Sequence, residues 1–168
     1  RLTSLRSLKL MCPPLVHQLP TLSRLKKLSF DNLRLDGKYF LGLTQLRCLD
    51  LYHAFFRPPD SVTALSVLTS LRSFSFHAKD EISDDILSRF SLLTELDIHS
   101  SSNVTSASAS LLTNLNRLSL DWVDMRGNFE SLCHLTYLSL VGKSMDDGSL
   151  SCLTTLRELR VVTHDISN

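Results

Sequence analysis

One repeated phrase of apolar residues constrains this chain more than any other feature. In each copy an apolar residue is followed three positions later by a second and five positions later by a third. The third falls at residues 10, 30, 51, 76, 98, 120, 140 and 161, at intervals of 20, 21, 25, 22, 22, 20 and 21 residues. Repeats with a period in this range stack on one another, because a single unit cannot bury its own apolar face. The chain is therefore predicted to be a solenoid along its whole length.

Each repeat also predicts its own local structure. The last two apolar residues of the phrase are separated by one residue, which is the alternation of a short strand with one buried face. Upstream apolar residues recur at every third position, as in Phe40, Leu43 and Leu46, and this spacing suits a turn that returns the chain beneath the strand. We expect eight parallel strands in one sheet, centred on residues 8–10, 28–30, 49–51, 74–76, 96–98, 118–120, 138–140 and 159–161.

The predicted fold class is thus an α/β solenoid, curved like a horseshoe, with about eight short parallel strands on its concave face. Short helices and turns form the convex face. Residues 83–90 are expected to be helical, with Ser83 as the N-cap, and residues 61–68 follow two prolines and are expected to form another helix. Turns are predicted at 126–128 and 146–148.

The longest repeat has about four extra residues around 54–60. These residues are expected to bulge at the rim or the back of the solenoid. We expect Phe55 or Phe56 to be buried there against Phe74 or Phe76.

The eight phrases resemble the leucine-rich repeat family across essentially the whole chain. Segments such as Leu112-Thr-Asn-Leu115 and Leu153-Thr-Thr-Leu156 resemble the short repeats of internalins and phosphatase regulators, and the irregular lengths resemble the repeats of intracellular immune receptors. The family usually places Asn three residues after the last strand leucine. Here that position holds Pro13, Leu33, Ala54, Lys79, Ser101, Val123, Lys143 and His164. Without an asparagine ladder, the backbone groups of these loops must find other partners.

The resemblance implies a protein that binds another protein on its concave face. Outward-pointing strand positions should form that face, and aromatic residues on rigid strands make good interface anchors. The candidate binding residues cluster in the middle repeats. They are Asp50, Tyr52, His77, Asp97, His99, Asp121, Trp122 and Tyr137.

We interpret the chain as a recognition scaffold, the sensor or adaptor part of a larger immune-receptor-like or adhesin-like protein. One alternative is an architectural spacer without a ligand of its own. Another is an accessory substrate-recognition domain of a larger enzyme.

Other chemistries find little support in the sequence. His77 and His99 are suitable metal ligands, but a metal site needs three or four oriented ligands. No nucleophile elbow or glycine-rich phosphate loop is present, so neither an enzyme nor a cofactor is expected. A basic stripe recurs at one repeat position, but no aromatic residues interleave it for base stacking, and nucleic acid is an unlikely partner. The basic stripe consists of Arg6, Lys26, Arg47 and Arg72.

Several features concern the chain as a whole. Apolar runs last only two or three residues, so no membrane insertion is expected. The four cysteines are widely spaced, which favours free thiols and an intracellular location. Residues 1–168 are expected to be one repeat domain without caps, taken from a longer array. Its uncovered ends should then associate with each other through Leu2, Leu5, Leu8, Leu159, Val161 and Ile166.

Overall fold

The described residues of the computed structural model are 4–11, 19–77, 82–99, 103–122, 129–142 and 150–163. Eight strands pair in parallel in one sheet, each beside the next of these strands along the chain. This confirms the predicted parallel sheet. The strands are β1 (Ser7–Leu10), β2 (Lys27–Asp31), β4 (Cys48–Tyr52), β6 (Ser73–His77), β7 (Glu95–His99), β8 (Arg117–Asp121), β9 (Tyr137–Gly142) and β10 (Glu158–Thr163).

The register of the sheet follows the repeat. Equal positions of neighbouring repeats lie side by side, as in the pairs Leu28–Leu49 and Leu51–Phe76. Because side chains alternate along a strand, each of the five-residue strands β2, β4, β6, β7 and β8 directs two apolar side chains into one continuous core and three residues outward. The outward residues therefore also form rows across the sheet.

Aromatic rings pack against one another in the core. Phe40 lies 6.0 Å from both Phe30 and Phe56, measured between ring centroids, and Phe74 lies 5.5 Å from Phe90. Burial of one such side chain contributes about 1.5–3 kcal/mol, and the rings link neighbouring repeats. Stacking of repeats is thus the main source of stability.

The connections between strands are short helices and turns. The helix expected at 61–68 is a 3₁₀ helix, Pro59–Val67, and the helix expected at 83–90 is shorter, α1 (Asp84–Leu87). Two further connections contain a 3₁₀ helix, Gly37–Phe40, and α2 (Ser106–Leu111), and residues 19–21 are also in 3₁₀ conformation. The predicted turns at 126–128 and 146–148 lie outside the described residues.

The side chain of Ser83 does not cap α1, although the sequence predicts Ser83 as the N-cap. Ser83 occupies the N-cap position, but its side chain makes no capping hydrogen bond. Instead, the carboxylate of Asp84 accepts a hydrogen bond of 2.9 Å from the backbone N–H of Thr105 in the following repeat. An acidic residue in the first turn here joins two repeats.

A second, two-stranded ladder occupies one rim of the solenoid. It pairs β3 (Arg34–Leu35) with β5 (Phe55–Phe56) in parallel. The two asparagine-ladder positions in this region, Leu33 and Ala54, are buried. Here backbone groups of the loops hydrogen-bond to each other instead of to asparagine side chains. The N–H of Phe55 donates to the carbonyl of Leu33 at 2.9 Å. The other six ladder positions, 13, 79, 101, 123, 143 and 164, lie outside the described residues.

The extra residues of the longest repeat form β5 and lead into the 3₁₀ helix Pro59–Val67. Phe56 is fully buried, whereas Phe55 is 50% exposed, so the expectation that one of the two rings enters the core is confirmed. The ring of Phe56 packs on Phe40 of the preceding repeat, a neighbour that the sequence did not indicate.

The two ends of the sheet differ. Leu5 and Leu8 are partly buried against the core, whereas Leu159 and Val161 on β10 are 47% and 44% exposed. Leu2 and Ile166 lie outside the described residues. No helix within the described ranges is long and apolar enough to span a membrane.

Candidate functional site

The open face of the sheet is the surface formed by the outward residues of its eight strands. It corresponds to the concave face predicted from the sequence. Seven of the eight candidate residues belong to it, and six of these lie on the strands β4, β6, β7 and β8. Trp122 follows directly after β8, and Tyr137 begins β9.

Three aromatic side chains form a row across the ends of adjacent strands. Tyr52 is paired with His77 in the register of the sheet, and their ring centroids lie 5.3 Å apart. The rings of His77 and His99 are stacked at 5.7 Å with an interplanar angle of 6°. Tyr52 is 44% exposed. The row therefore presents flat, accessible rings that the strands hold in place.

Each histidine of this row is bound by an aspartate on the next strand. Nε2 of His77 lies 3.2 Å from Oδ2 of Asp97 and 2.9 Å from Oγ of Ser75. Nδ1 of His99 lies 2.5 Å from Oδ2 of Asp121. These contacts fix the orientation of both imidazoles on the sheet.

The same contacts set the electrostatics of the face. The hydrogen bond to Asp97 raises the pKa of His77 above its ordinary value, although burial opposes this, and the nearby Asp50 and Asp121 add to the rise. Burial raises the pKa of Asp97, but hydrogen bonds from His77 and Ser119 outweigh it, and the net pKa is lowered. The carboxylate of Asp97 consequently stays ionised at neutral pH beside the imidazole of His77.

Trp122 lies at the edge of the row in an unusual backbone conformation. Its φ is 59°, in the left-handed region, and its N–H donates to the carbonyl of Val141 at 2.7 Å. Gly142 lies beside it at φ 132°, where a Cβ atom would approach Cα of Trp122 to 3.3 Å. Glycine therefore allows the close approach that supports the tryptophan, which is 47% exposed.

The two remaining candidates flank the row. Asp50 accepts a hydrogen bond of 3.1 Å from the hydroxyl of Ser29. Tyr137 lies beneath the guanidinium of Arg117, whose central carbon is 4.2 Å from the ring centroid. A depression of 280 Å³ connects Tyr137 and Arg117 with Asp97, so Tyr137 belongs to the same surface.

Sequence reasoning missed three residues that organise this face. Ser75 hydrogen-bonds to His77, and Ser119 hydrogen-bonds to Asp97. Arg117 covers the ring of Tyr137. The serines gave no signal because serine also suits an exposed strand position without any partner. The pair of Arg117 and Tyr137 had a signal, since the two residues occupy equal positions in adjacent repeats and cation–π pairs are common.

Metal binding, the cysteines and the basic stripe were also considered in the sequence, and the structure places their residues as follows. Among the described residues, no three His, Cys, Asp or Glu side chains form a group that could hold a metal ion. Cys48 and Cys133 are free thiols, and Cys12 lies outside the described residues. The basic stripe follows the edge where the strands begin, and backbone N–H groups of each next repeat donate to the carbonyls of its residues.

Comparison with known proteins identifies similar folds and no similar sequences. No family model matches the chain, and no curated protein matches it in sequence. Among solved structures, an internalin F from Listeria monocytogenes superposes with a TM-score of 0.76 at 20% identity, covering 99% of this chain and 49% of that one. An internalin C2 from the same species gives 0.73 at 22% identity, covering 96% and 73%. The chain thus spans about half the length of internalin F.

A plant structure matches more distantly. It is the leucine-rich repeat ectodomain of the membrane receptor kinase GASSHO1/SCHENGEN3 from Arabidopsis thaliana, in complex with CASPARIAN STRIP INTEGRITY FACTOR 2. The TM-score is 0.57 at 22% identity, covering 94% of this chain and 23% of that one. A leucine-rich repeat protein of Leptospira interrogans gives 0.63 at 19% identity, covering 95% and 49%.

Proposed function

Because this chain has the leucine-rich repeat fold, we propose that it is a recognition scaffold whose open face binds another protein. The observation that carries the proposal is the row formed by Tyr52, His77 and His99. The side chains of this row are flat, partly exposed and held in register on adjacent strands.

The composition of the row and its surroundings supports a protein ligand. Interface anchors are enriched in aromatic residues, because these bring a large contact area and lose little side-chain entropy. Tyr52 and Trp122 have this character, and both remain about half exposed. The rings lie among the carboxylates of Asp50, Asp97 and Asp121, so a partner segment with a basic or aromatic side chain would be complementary.

The narrower roles depend on what the open face serves in the parent protein. A sensor part of an immune receptor and an adhesin-like module would both use the open face in this way. An architectural spacer would leave it unoccupied, and an accessory domain of an enzyme would use it to hold a substrate protein. We favour a recognition scaffold over a spacer, because a spacer has no need of oriented aromatic side chains.

Site-specific photocrosslinking tests the proposal. Benzoylphenylalanine replaces Glu95, an exposed residue of the open face, and in control proteins it replaces Leu41 or Leu111, which are exposed on the connections between strands. Cross-linking in a lysate of the source organism should join one defined protein to position 95 and not to the controls. Cross-links confined to positions 41 and 111 would place binding on the convex side, and their absence at all three positions would favour the spacer.

A further inference from the structure

A second surface lies on the rim where β2 and β4 end. There a hollow of 340 Å³ is lined by Asn32, Arg34, Phe55 and Arg57. We call it the rim hollow. It belongs to the small β3–β5 ladder and is separate from the open face of the main sheet.

Strand alternation explains why these four side chains share one side of the ladder. Leu35 and Phe56 are buried, so their neighbours Arg34 and Phe55 point outward and lie beside each other in the parallel register. Arg57 comes two residues after Phe55 and returns to the same side. Its N–H donates to the carbonyl of Leu35 at 2.8 Å, which extends the ladder and holds the backbone under the hollow.

The exposure of Phe55 needs an explanation. Its ring is 50% exposed, while the adjacent Phe56 is fully buried. Burial of a phenylalanine contributes about 1.5–3 kcal/mol, and half of that contribution is forgone at position 55. A polar residue would suit the outward position of a rim ladder better, unless the ring contacts a ligand.

The charge of the hollow points to the kind of ligand. Two guanidinium groups, from Arg34 and Arg57, and the amide of Asn32 line it, and among the residues that the structure describes no carboxylate does. Within the described residues neither arginine forms an ion pair. Guanidinium groups bind carboxylates and phosphates in bidentate fashion and also stack on flat rings.

We propose that the rim hollow binds an anionic group attached to a flat aromatic framework. The two arginines bind the anion, and Phe55 packs against the ring. Phosphorylated tyrosine in a partner protein has this chemistry, and so does an aromatic carboxylate. The proposal does not depend on the open face, because no candidate residue of that face lines the hollow.

Titration with small probes tests the proposal, followed through the aromatic NMR signals of Phe55. The probes are N-acetyl-phosphotyrosine amide, N-acetyl-tyrosine amide, inorganic phosphate and benzoate. The phosphorylated amide should shift the Phe55 signals saturably, with an affinity about tenfold or more above that of inorganic phosphate or the unphosphorylated amide, since charged hydrogen bonds and ring packing both contribute. Saturable binding of benzoate as well would extend the ligand to carboxylates.

Variants separate the parts of the site. Arg34→Gln/Arg57→Gln should weaken phosphotyrosine binding by about tenfold or more, since both charged hydrogen bonds are lost. Arg47→Gln/Arg72→Gln removes the same charge from the basic stripe and should change affinity by less than about twofold, because screening limits long-range effects. Phe55→Leu, followed through the side-chain amide signals of Asn32, which also lines the hollow, should weaken phosphotyrosine binding and leave inorganic phosphate binding unaffected. All of the replaced side chains are exposed, so the variants should melt like the wild type.

Three results would overturn the proposal. The first is that no probe shifts the Phe55 signals saturably. The second is equal weakening by the two double variants, which would mean a general effect of charge. The third is equal affinity for inorganic phosphate and phosphotyrosine amide, which would remove Phe55 from the site.

Discussion

The two faces of the main sheet obey different rules. Facing the core, the last inward residues of successive strands are Phe30, Leu51, Phe76 and Ile98, all of them apolar and fully buried. Facing solvent, the residues directly after them are Asp31, Tyr52, His77 and His99, which differ in charge and shape. Stacking of repeats requires apolar side chains at the inward positions and places no such requirement on the outward positions. Chemistry specific to this protein is therefore expected on the outward set.

The rim repeats this contrast within two adjacent residues. Phe55 and Phe56 have the same side chain, yet one is half exposed and the other is fully buried. Their positions in β5 alone determine this difference. Comparing substitutions of these two residues therefore measures directly how much more stability a ring contributes on the inward face than on the outward face.

The largest expected effect is on stability and comes from this pair. Phe56→Ala should lower the free energy of unfolding by about 3–5 kcal/mol, because it removes a core ring that packs on Phe40 and leaves a cavity. Phe55→Ala should cost less than about 1 kcal/mol, as exposed substitutions usually do. Urea unfolding followed by circular dichroism measures both.

Similar losses for the two variants would contradict the contrast between the faces. A loss below about 1 kcal/mol for Phe56→Ala would mean that the ring leaves no lasting cavity.

The fold was predictable from the sequence because the inward set repeats. Eight phrases with one spacing were enough to predict eight strands, their parallel pairing and their order in the sheet. The β3–β5 ladder was not predictable, because two-residue strands have no periodic signal. Its outward residue Phe55 is indistinguishable in sequence from the inward Phe56.

The second effect is on binding. Tyr52→Ala or Trp122→Ala should weaken binding of the proposed protein partner by about 2 kcal/mol or more, which is the usual loss for an anchor. This corresponds to a rise in Kd of roughly 30-fold. Stability should change little, because both side chains are about half exposed. Calorimetric titration of the cross-linked partner, once identified, measures the affinity.

Leu41→Ala provides the control for these variants, since it truncates an exposed apolar side chain on a connection between strands. Its affinity should equal that of the wild type. Unchanged affinity in both aromatic variants would remove the open face from the interface.

The candidate face was predictable in part for a physical reason. Side-chain direction follows from strand alternation, so the positions of Tyr52, His77 and His99 could be assigned to one face before any coordinates. Hydrogen bonds depend on side-chain rotamers, which the repeat does not determine. The pairing of His77 with Asp97, and of His99 with Asp121, therefore required the structure.

A third effect concerns the end of the sheet, where inward positions lose their cover. Leu159 and Val161 on β10 occupy core positions of the repeat but are about half exposed. Covering both of them by self-association should contribute about 1.5–3 kcal/mol per copy, which is half of the usual value for each fully buried side chain. Sedimentation of the 168-residue chain should show concentration-dependent association, and Leu159→Lys/Val161→Lys should abolish it. A monomer at all concentrations would contradict this prediction.

The smallest expected effect is the pH dependence of stability that His77 contributes on the open face. Contact with Asp97 raises the pKa of His77 in the folded protein, while the unfolded value is near 6.5. His77 binds its proton more tightly when folded, so its contribution to stability is complete below the unfolded pKa. That contribution is lost as pH rises through the folded pKa.

The free energy of unfolding of the wild type, relative to His77→Gln, should therefore increase as pH falls from about 8 to about 6. The change should stay below about 1 kcal/mol, because solvent screens a pair that is only partly buried. Asp97 has a lowered pKa, so its own contribution is present above its unfolded pKa of about 3.9 and is lost below that. Denaturation should be measured between pH 5 and 8, where Asp97 stays ionised. His134→Gln, an exposed histidine in a turn, is the control and should follow the wild-type curve. Parallel curves for the wild type and His77→Gln would mean that the bond to Asp97 contributes no stability, and the row of rings would then be held by packing alone.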